Sequence, residues 1–260
     1  MNTSGFIKRV LTHSDLYSNV VGACKELLKS SLAAEAKDYL DSRVFENNQK
    51  LFGFGYFPND DNLGLLIDKV GLSTLKTLGL VYPDRGNTSM MRGLLSQHNL
   101  IMPIKDDYGN IVALVGRTLL SENQQKESEV QKYKYTNGYK KSSNLFGLYY
   151  SKKSIRKNRS VIIVEGQIDY ITCHSHGFHN VVALGGSSMS DYQMYLLLKY
   201  GQDLRVNLLL DNDIAGRKGQ QKIIDKFSRF VNINPLALPE EYKDVDQYLR
   251  KGKDTSVLCV

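Results

Sequence analysis

Cysteine is scarce in this chain. Its 260 residues include three, Cys24, Cys173 and Cys259, far apart and with no CxxC pair, so they build neither a zinc ribbon nor a disulfide framework. They read as reduced thiols of a cytoplasmic protein. The start, MNTSGFIKRVLTHSDLY, turns polar within a few residues and has no apolar signal core. Long hydrophobic runs are missing too: residues 206–210 are already interrupted by Asn207, far short of a membrane span. An unexported chain with no membrane partner is expected. No internal repeat is visible. Disorder is excluded by what is present, since 42% hydrophobic and 10% aromatic residues in 29.4 kDa suffice for one large domain or two modest ones. Lys and Arg number 34 against 27 Asp and Glu, giving +7 and a pI near 9.1, by itself a weak pointer to a polyanionic partner.

The placement of that charge says more than its sum. Residues 16–40 have apolar side chains at helical intervals and predict one or two amphipathic helices. The cluster LFGFGYFPND at 51–60 predicts a bend or a close backbone approach at Gly53 and Gly55. A helical stretch around 65–80, a polar break, and two β-rich runs joined by residues 106–110 follow, the last reading as a hairpin. Residues 121–160 are polar and studded with tyrosine, and they carry Lys132, Lys134, Lys140, Lys141, Lys152, Lys153, Arg156, Lys157 and Arg159. Cations interleaved with aromatic rings suit a nucleic-acid strand as well as a solvated connector. From residue 160 strands and helices alternate: VIIVE, a helix at 168–176, VVAL, a helix at 191–200, VNLLLD, a helix at 216–230 and a short strand at 235–238. That alternation predicts a parallel sheet covered by helices, with a domain boundary near residue 158.

Ligands bind parallel sheets beyond the carboxyl ends of the strands, and here those ends are acidic. The first strand stops at Glu165-Gly166, with Asp169 one turn on. The third stops at Asp211-Asn212-Asp213, and the segment after the last strand supplies Asp244 and Asp246. Singly, each acid reads as a helix cap or a surface residue. Together they would repel one another and raise one another's pKa unless cations sat among them, and hard oxygen donors at this density suit Mg²⁺ or Mn²⁺. Gly166 and Gly216 allow tight strand-to-helix turns where a phosphate could be held.

Glu165-Gly166, the DxD at 211–213 running into AGRKG, and the Asp244/Asp246 pair resemble the metal-binding signature of the Toprim fold, shared by primases, topoisomerases, OLD-family nucleases and RecR-like proteins. LFGFGYFP, IMPIKDDYGNIVALVGRTL, KYKYTNG, NLFGLYYSKK, VEGQIDYI and LGGSSMS, in this order, are similar to the motifs of DnaG-type primases, over roughly residues 15–250. The resemblance implies an α/β protein: a basic mixed α/β subdomain at 1–158 that binds template and nucleotide, a Rossmann-like parallel-sheet Toprim subdomain at 159–250, and a tail at 251–260. It implies a nucleotidyltransferase, a DNA-directed RNA polymerase that lays short RNA primers from NTPs on single-stranded DNA. Carried over position by position, Glu165, Asp169, Asp211 and Asp213 are catalytic, and these four with Asp244 and Asp246 bind two or more Mg²⁺ or Mn²⁺ ions, with no zinc. Lys105, Arg117, Lys134 and Lys141 match basic positions of the N-terminal subdomain that contact template or nucleotide.

Some positions depart from the family pattern. Asn99 and Leu100 stand where an arginine usually precedes the MFPI-like motif, Asn212 replaces the glycine of DGD, and Val245 replaces a proline. The zinc ribbon and the helicase-binding domain of such primases have no counterpart in the sequence, so a phage-like minimal primase or an excised core is expected, working with a replicative helicase or a zinc-ribbon-bearing partner in a bacterial or phage-infected cytoplasm. Two other readings stay open: a Toprim nuclease using the same acids for hydrolysis, and a non-catalytic RecR-like DNA-binding module.

Overall fold

The structure, a computed structural model, describes residues 3–201, 203–252 and 255–258, which leaves Cys259 outside the described residues. No helix among the described residues is long and apolar enough to cross a membrane. The chain divides into two compact units, one of residues 1–104 and 110–139, the other of residues 105–109 and 140–260.

In the first unit the helix α1 (Thr3–Leu28) is followed by α2 (Ala34–Arg43) and α3 (Glu46–Phe52). Val20, Val21, Cys24 and Leu27 of α1 are buried at the 3–4 residue spacing that turns one helical face inward. A four-stranded sheet runs in the order β1 (Gly55–Tyr56), β4 (Leu100–Lys105), β5 (Ile111–Arg117), β6 (Tyr133–Tyr135). Both features expected at the glycine cluster are present. Gly53 has φ +72° and closes α3, and a Cβ at Gly55 would lie 2.7 Å from the Cβ of Cys24, so only glycine lets β1 run against α1. Between β1 and β4 lie α4 (Leu63–Val70), α5 (Leu72–Thr77) and a ribbon of β2 (Val81–Pro83) with β3 (Met91–Gly93). The hairpin turn at 106–110 is confirmed: Asp106 Oδ1 accepts from the N–H groups of Tyr108 and Gly109, at 2.9 and 2.8 Å. A helix, α6 (Glu122–Glu127), capped by Ser121 and Gln124, precedes β6.

The second unit is a parallel sheet in the order β10-β9-β7-β8. Its elements are α7 (Leu148–Asn158), β7 (Ser160–Val164), α8 (Gln167–Ser175), β8 (Val181–Ala183), α9 (Asp191–Leu198), β9 (Arg205–Leu209), α10 (Ile214–Phe227), β10 (Asn232–Pro235) and α11 (Val245–Arg250). β7 is buried along its whole length, as a central strand covered on both faces must be. The last strand lies a few residues before the expected 235–238. The parallel register sets Asn232 against Arg205 and Pro235 against Leu208, and Pro235, without an N–H, falls at the end of an edge strand. Residues 140–158 group with this unit, whereas a boundary near 158 was expected. Phe146 and Ala183 exchange two backbone hydrogen bonds of 2.9 and 3.0 Å, and Leu145, Leu148 and Ile155 enter the core beside Val161, Ile163 and Val206.

Candidate metal centre

In the order β10-β9-β7-β8 the chain leaves β7 to one side for β8 and returns to its other side for β9, so β7 and β9 flank the topological switch point, where the sheet opens a crevice beyond its carboxyl ends. Glu165 directly follows β7, and Asp211 lies just past β9. Asp213 caps α10, its Oδ1 accepting from the Gly216 N–H at 2.9 Å. A Cβ at Gly216 would sit 2.1 Å from the Asp211 carbonyl oxygen, so glycine is what lets α10 start tight against the Asp211 backbone.

Glu165 is half-buried, and its Oε2 is buried with no hydrogen-bond partner. Its pKa is pushed up to about 7, first by burial, then by the charges of Asp211 and Asp213, against the pull of the Asp211 N–H and of Lys243. Asp169, buried at 9% exposure, is held well above the usual carboxylate range by burial and then by Asp244, Asp211 and Asp246. Its Oδ2 accepts from the Gly166 N–H at 3.0 Å, and its Oδ1 from the Asp246 N–H at 3.4 Å. Asp211 is thus electrostatically linked to both Glu165 and Asp169.

The remaining acids are already engaged. Asp246 is buried, accepting from Thr172 Oγ1 at 2.7 Å and from Arg250 Nε and Nη2 at 3.1 and 3.0 Å. Asp244 caps α11 by accepting from the Gln247 N–H at 2.8 Å. Among the described residues no three His, Cys, Asp or Glu side chains form a ready-made metal shell. The donor set nevertheless fits a hard divalent cation. An orphaned carboxylate oxygen on Glu165 and mutual repulsion among Glu165, Asp211 and Asp213 are both relieved by positive charge.

The four basic candidates divide between the units. Lys105 and Lys141 fall with the acids in the second unit, Arg117 and Lys134 in the first. Lys105 Nζ lies 5.0 Å from the ring centroids of both Tyr149 and Tyr150. Lys141 Nζ donates to the Gly185 carbonyl at 3.0 Å, and Gly185 N–H donates to the Glu165 carbonyl at 2.9 Å, so the LGGSS loop ties this lysine to the end of β7. Arg117 is gripped by Tyr39 and Tyr133, at 4.7 and 5.4 Å from its guanidinium carbon, and donates to the Tyr133 hydroxyl at 3.1 Å. Lys134, in β6 opposite Gly116, is exposed.

Two participants escaped the sequence reading. Lys243, beside Asp244, is the cation that pulls on Glu165; its place next to an acid in EEYKDVD was the available signal. Asn212, noted as a departure from glycine, donates Nδ2 to the Tyr242 and Pro239 carbonyls at 3.2 and 3.4 Å, and its N–H to the Lys243 carbonyl at 2.6 Å. It fastens the turn bearing Asp211 and Asp213 to the segment leading into Asp244. Asn99 likewise serves the fold, donating to the Phe57 and Ser96 carbonyls at 2.9 and 3.0 Å.

A family model described as the DNA primase catalytic core, N-terminal domain, matches residues 23–152, half of the chain. The chain belongs to the DnaG-type primase family. A Toprim-like model matches residues 162–249, the stretch that holds every acid above. The DNA primase of Aquifex aeolicus is 32% identical over 230 residues, covering 85% of this chain and 43% of that protein. That of Thermotoga maritima is 30% identical, with 98% and 43% covered. The chain therefore spans less than half the length of these curated relatives. Among solved structures, the RNA polymerase domain of Mycobacterium tuberculosis primase DnaG superimposes with a TM-score of 0.76 at 25% identity, covering 97% of this chain and 82% of that one. The Aquifex aeolicus primase with zinc-binding and RNA polymerase domains gives 0.73 at 28%, covering 91% and 57%.

Proposed function

We propose that these residues form the RNA-polymerising core of a primase, which joins NTPs into short RNA primers on single-stranded DNA with the help of divalent metal. The observation that carries this reading, within a primase-family chain, is Glu165: an acid with an orphaned buried oxygen at the switch point, made reluctant to ionise first by burial and then by Asp211 and Asp213. Glu165, Asp211 and Asp213 would hold the cation. A bound divalent ion, Mg²⁺ or Mn²⁺, supplies charge stabilisation for the transferring phosphoryl group and for the attacking 3′ oxygen. Asp169, Asp244 and Asp246 brace that trio through the backbone of α8 and α11, and Asp169 adds negative potential behind Asp211. The basic residues neutralise phosphates. Arg117 is pre-organised by its two tyrosines and Lys141 by the Gly185 carbonyl, so little side-chain freedom is lost when an anion binds. A replicative helicase or a zinc-ribbon protein in the cytoplasm is the partner class this reading calls for.

Incubation with single-stranded DNA, NTPs and Mg²⁺ or Mn²⁺ is expected to yield short RNA that vanishes with a chelator. Shortened template strands and no RNA would overturn the reading in favour of a nuclease.

A further inference from the structure

The solvent face of α10 carries a run of positive charge that none of the roles above uses. The helix packs inward through Gly216, Gly219, Ile223 and Phe227. Its outer face, with the turn that follows, presents Arg217, Lys218, Lys222, Lys226 and Arg229, all exposed, against a single acid, Asp225. Asp225 is itself occupied, accepting from Gln221 Nε2 at 2.7 Å. Lys226 pairs with Asp191, which is 83% exposed, a contact that solvent screens heavily. Among the described residues Lys218, Lys222 and Arg229 have no carboxylate partner. Such a face repels itself until a polyanion covers it.

Three features define that polyanion. The stripe starts beside Asp213, which caps α10, at the edge of the sheet where the proposed chemistry takes place. A helix of 14 residues extends about 21 Å from that edge, long enough to follow several successive phosphates. Along α10 itself the exposed residues include no aromatic ring, and the one exposed ring of the following turn, Phe230, stands beyond the helix at the end far from Asp213. Sites for single strands add ring stacking to charge because their bases are bare; a face of cations alone suits a strand whose bases are already paired.

We infer that the outer face of α10 binds the phosphate backbone of a nucleic-acid duplex, the template–primer hybrid leaving the acid-lined edge. This rests on the primase reading and adds to it a track for the product.

The test measures affinity of the whole chain for a short blunt RNA–DNA hybrid and for single-stranded DNA of the same length, over a range of salt. Replacing two exposed lysines, Lys218→Gln with Lys222→Gln, is expected to lower the slope of log affinity against log salt by about two units on the hybrid, and to leave the single-strand slope unchanged. Asp225→Lys is expected to steepen the hybrid slope by about one unit, a gain that misfolding cannot mimic. An unchanged hybrid slope in a double variant that still makes RNA on single-stranded DNA overturns the track and leaves the primase reading standing. Equal loss on both probes overturns the assignment to a duplex. A wild-type chain that makes no RNA and binds neither probe removes both.

Discussion

Burial and the charges of Asp211 and Asp213 push the Glu165 pKa from 4.5 up to about 7, so between those values the folded chain holds a proton that the unfolded chain has released. Stability must then fall as pH rises through that window, because the native state binds more protons. With Glu165 half exposed, solvent reduces the effect to about 1 kcal/mol. In a chelator the urea midpoint of wild type relative to Glu165→Gln is therefore expected to fall from about pH 5 to about pH 8, a comparison that removes the opposite contribution of His174, whose pKa burial lowers to about 4; Mg²⁺ is expected to cancel the fall, since it binds the ionised form. A difference between the two chains that is indifferent to pH in the chelator would mean that Glu165 is not strained. Asp213 separates its two roles cleanly. Asparagine caps helices as well as aspartate, so Asp213→Asn is expected to keep metal-free stability within a few tenths of a kcal/mol while RNA synthesis drops on the order of 100-fold. Wild-type activity in Asp211→Asn, Asp213→Asn would sink the metal assignment. At this scale the sequence showed which acids stand at strand ends. It could not show that Asp246, ion-paired with Arg250 one turn on, also accepts from Thr172, because only the packing of α8 against α11 brings that hydroxyl to it.

The elements were legible where periodicity is strong. Alternating strands and helices from residue 160 gave the parallel sheet, since such alternation has few other packings, and the hairpin at 106–110 followed from its turn residues. The grouping of residues 140–158 with the sheet was not legible, because it depends on the bridge between Phe146 and Ala183, a pairing no local pattern encodes. Contacts between elements make two expectations specific. Asn212→Gly restores the residue usual in the family but removes the side-chain hydrogen bonds to the Tyr242 and Pro239 carbonyls, so a loss of about 1–2 kcal/mol in chemical denaturation is expected, with faster amide exchange in residues 240–244. Protection equal to wild type there would show that the backbone bond to Lys243 alone holds the segment. A Cβ at Gly219 would stand 2.0 Å from the Ser187 carbonyl oxygen, backbone against helix with no flexible atom to yield. Gly219→Ala is accordingly expected to destabilise by roughly 1–3 kcal/mol or more and to displace the LGGSS loop that orients Lys141.

Over the whole molecule, positive charge is divided between the two units, with Arg117 and Lys134 in the first and Lys105 and Lys141 in the second. Composition pointed only weakly to a polyanionic partner, and charge counting could not apportion the charge, because Lys134 and Lys141 are near in sequence and fall on opposite sides of the division at residue 139. Both exposed lysines are expected to contribute separately to single-strand binding, so Lys134→Ala and Lys141→Ala should each lower the salt slope by about one unit and together by about two. Binding through such lysines would read phosphates and not bases, and from this follows the last expectation. Starting a primer requires two nucleotides and a template to be held together, an ordering cost that extension of an annealed primer has already met in the hybrid. Three scattered cysteines with no CxxC do not offer the ligand spacing of a zinc ribbon that could fix the first nucleotide, and contacts to phosphates alone would hold any sequence alike. The chain assayed alone is therefore expected to extend a pre-annealed RNA primer at least about tenfold faster than it initiates one. Adding a zinc-ribbon protein should raise initiation more than extension, measured as the yield of dinucleotide against that of elongated primer. Efficient initiation at one preferred template sequence by the chain alone would overturn this and would require a base-reading element within these residues.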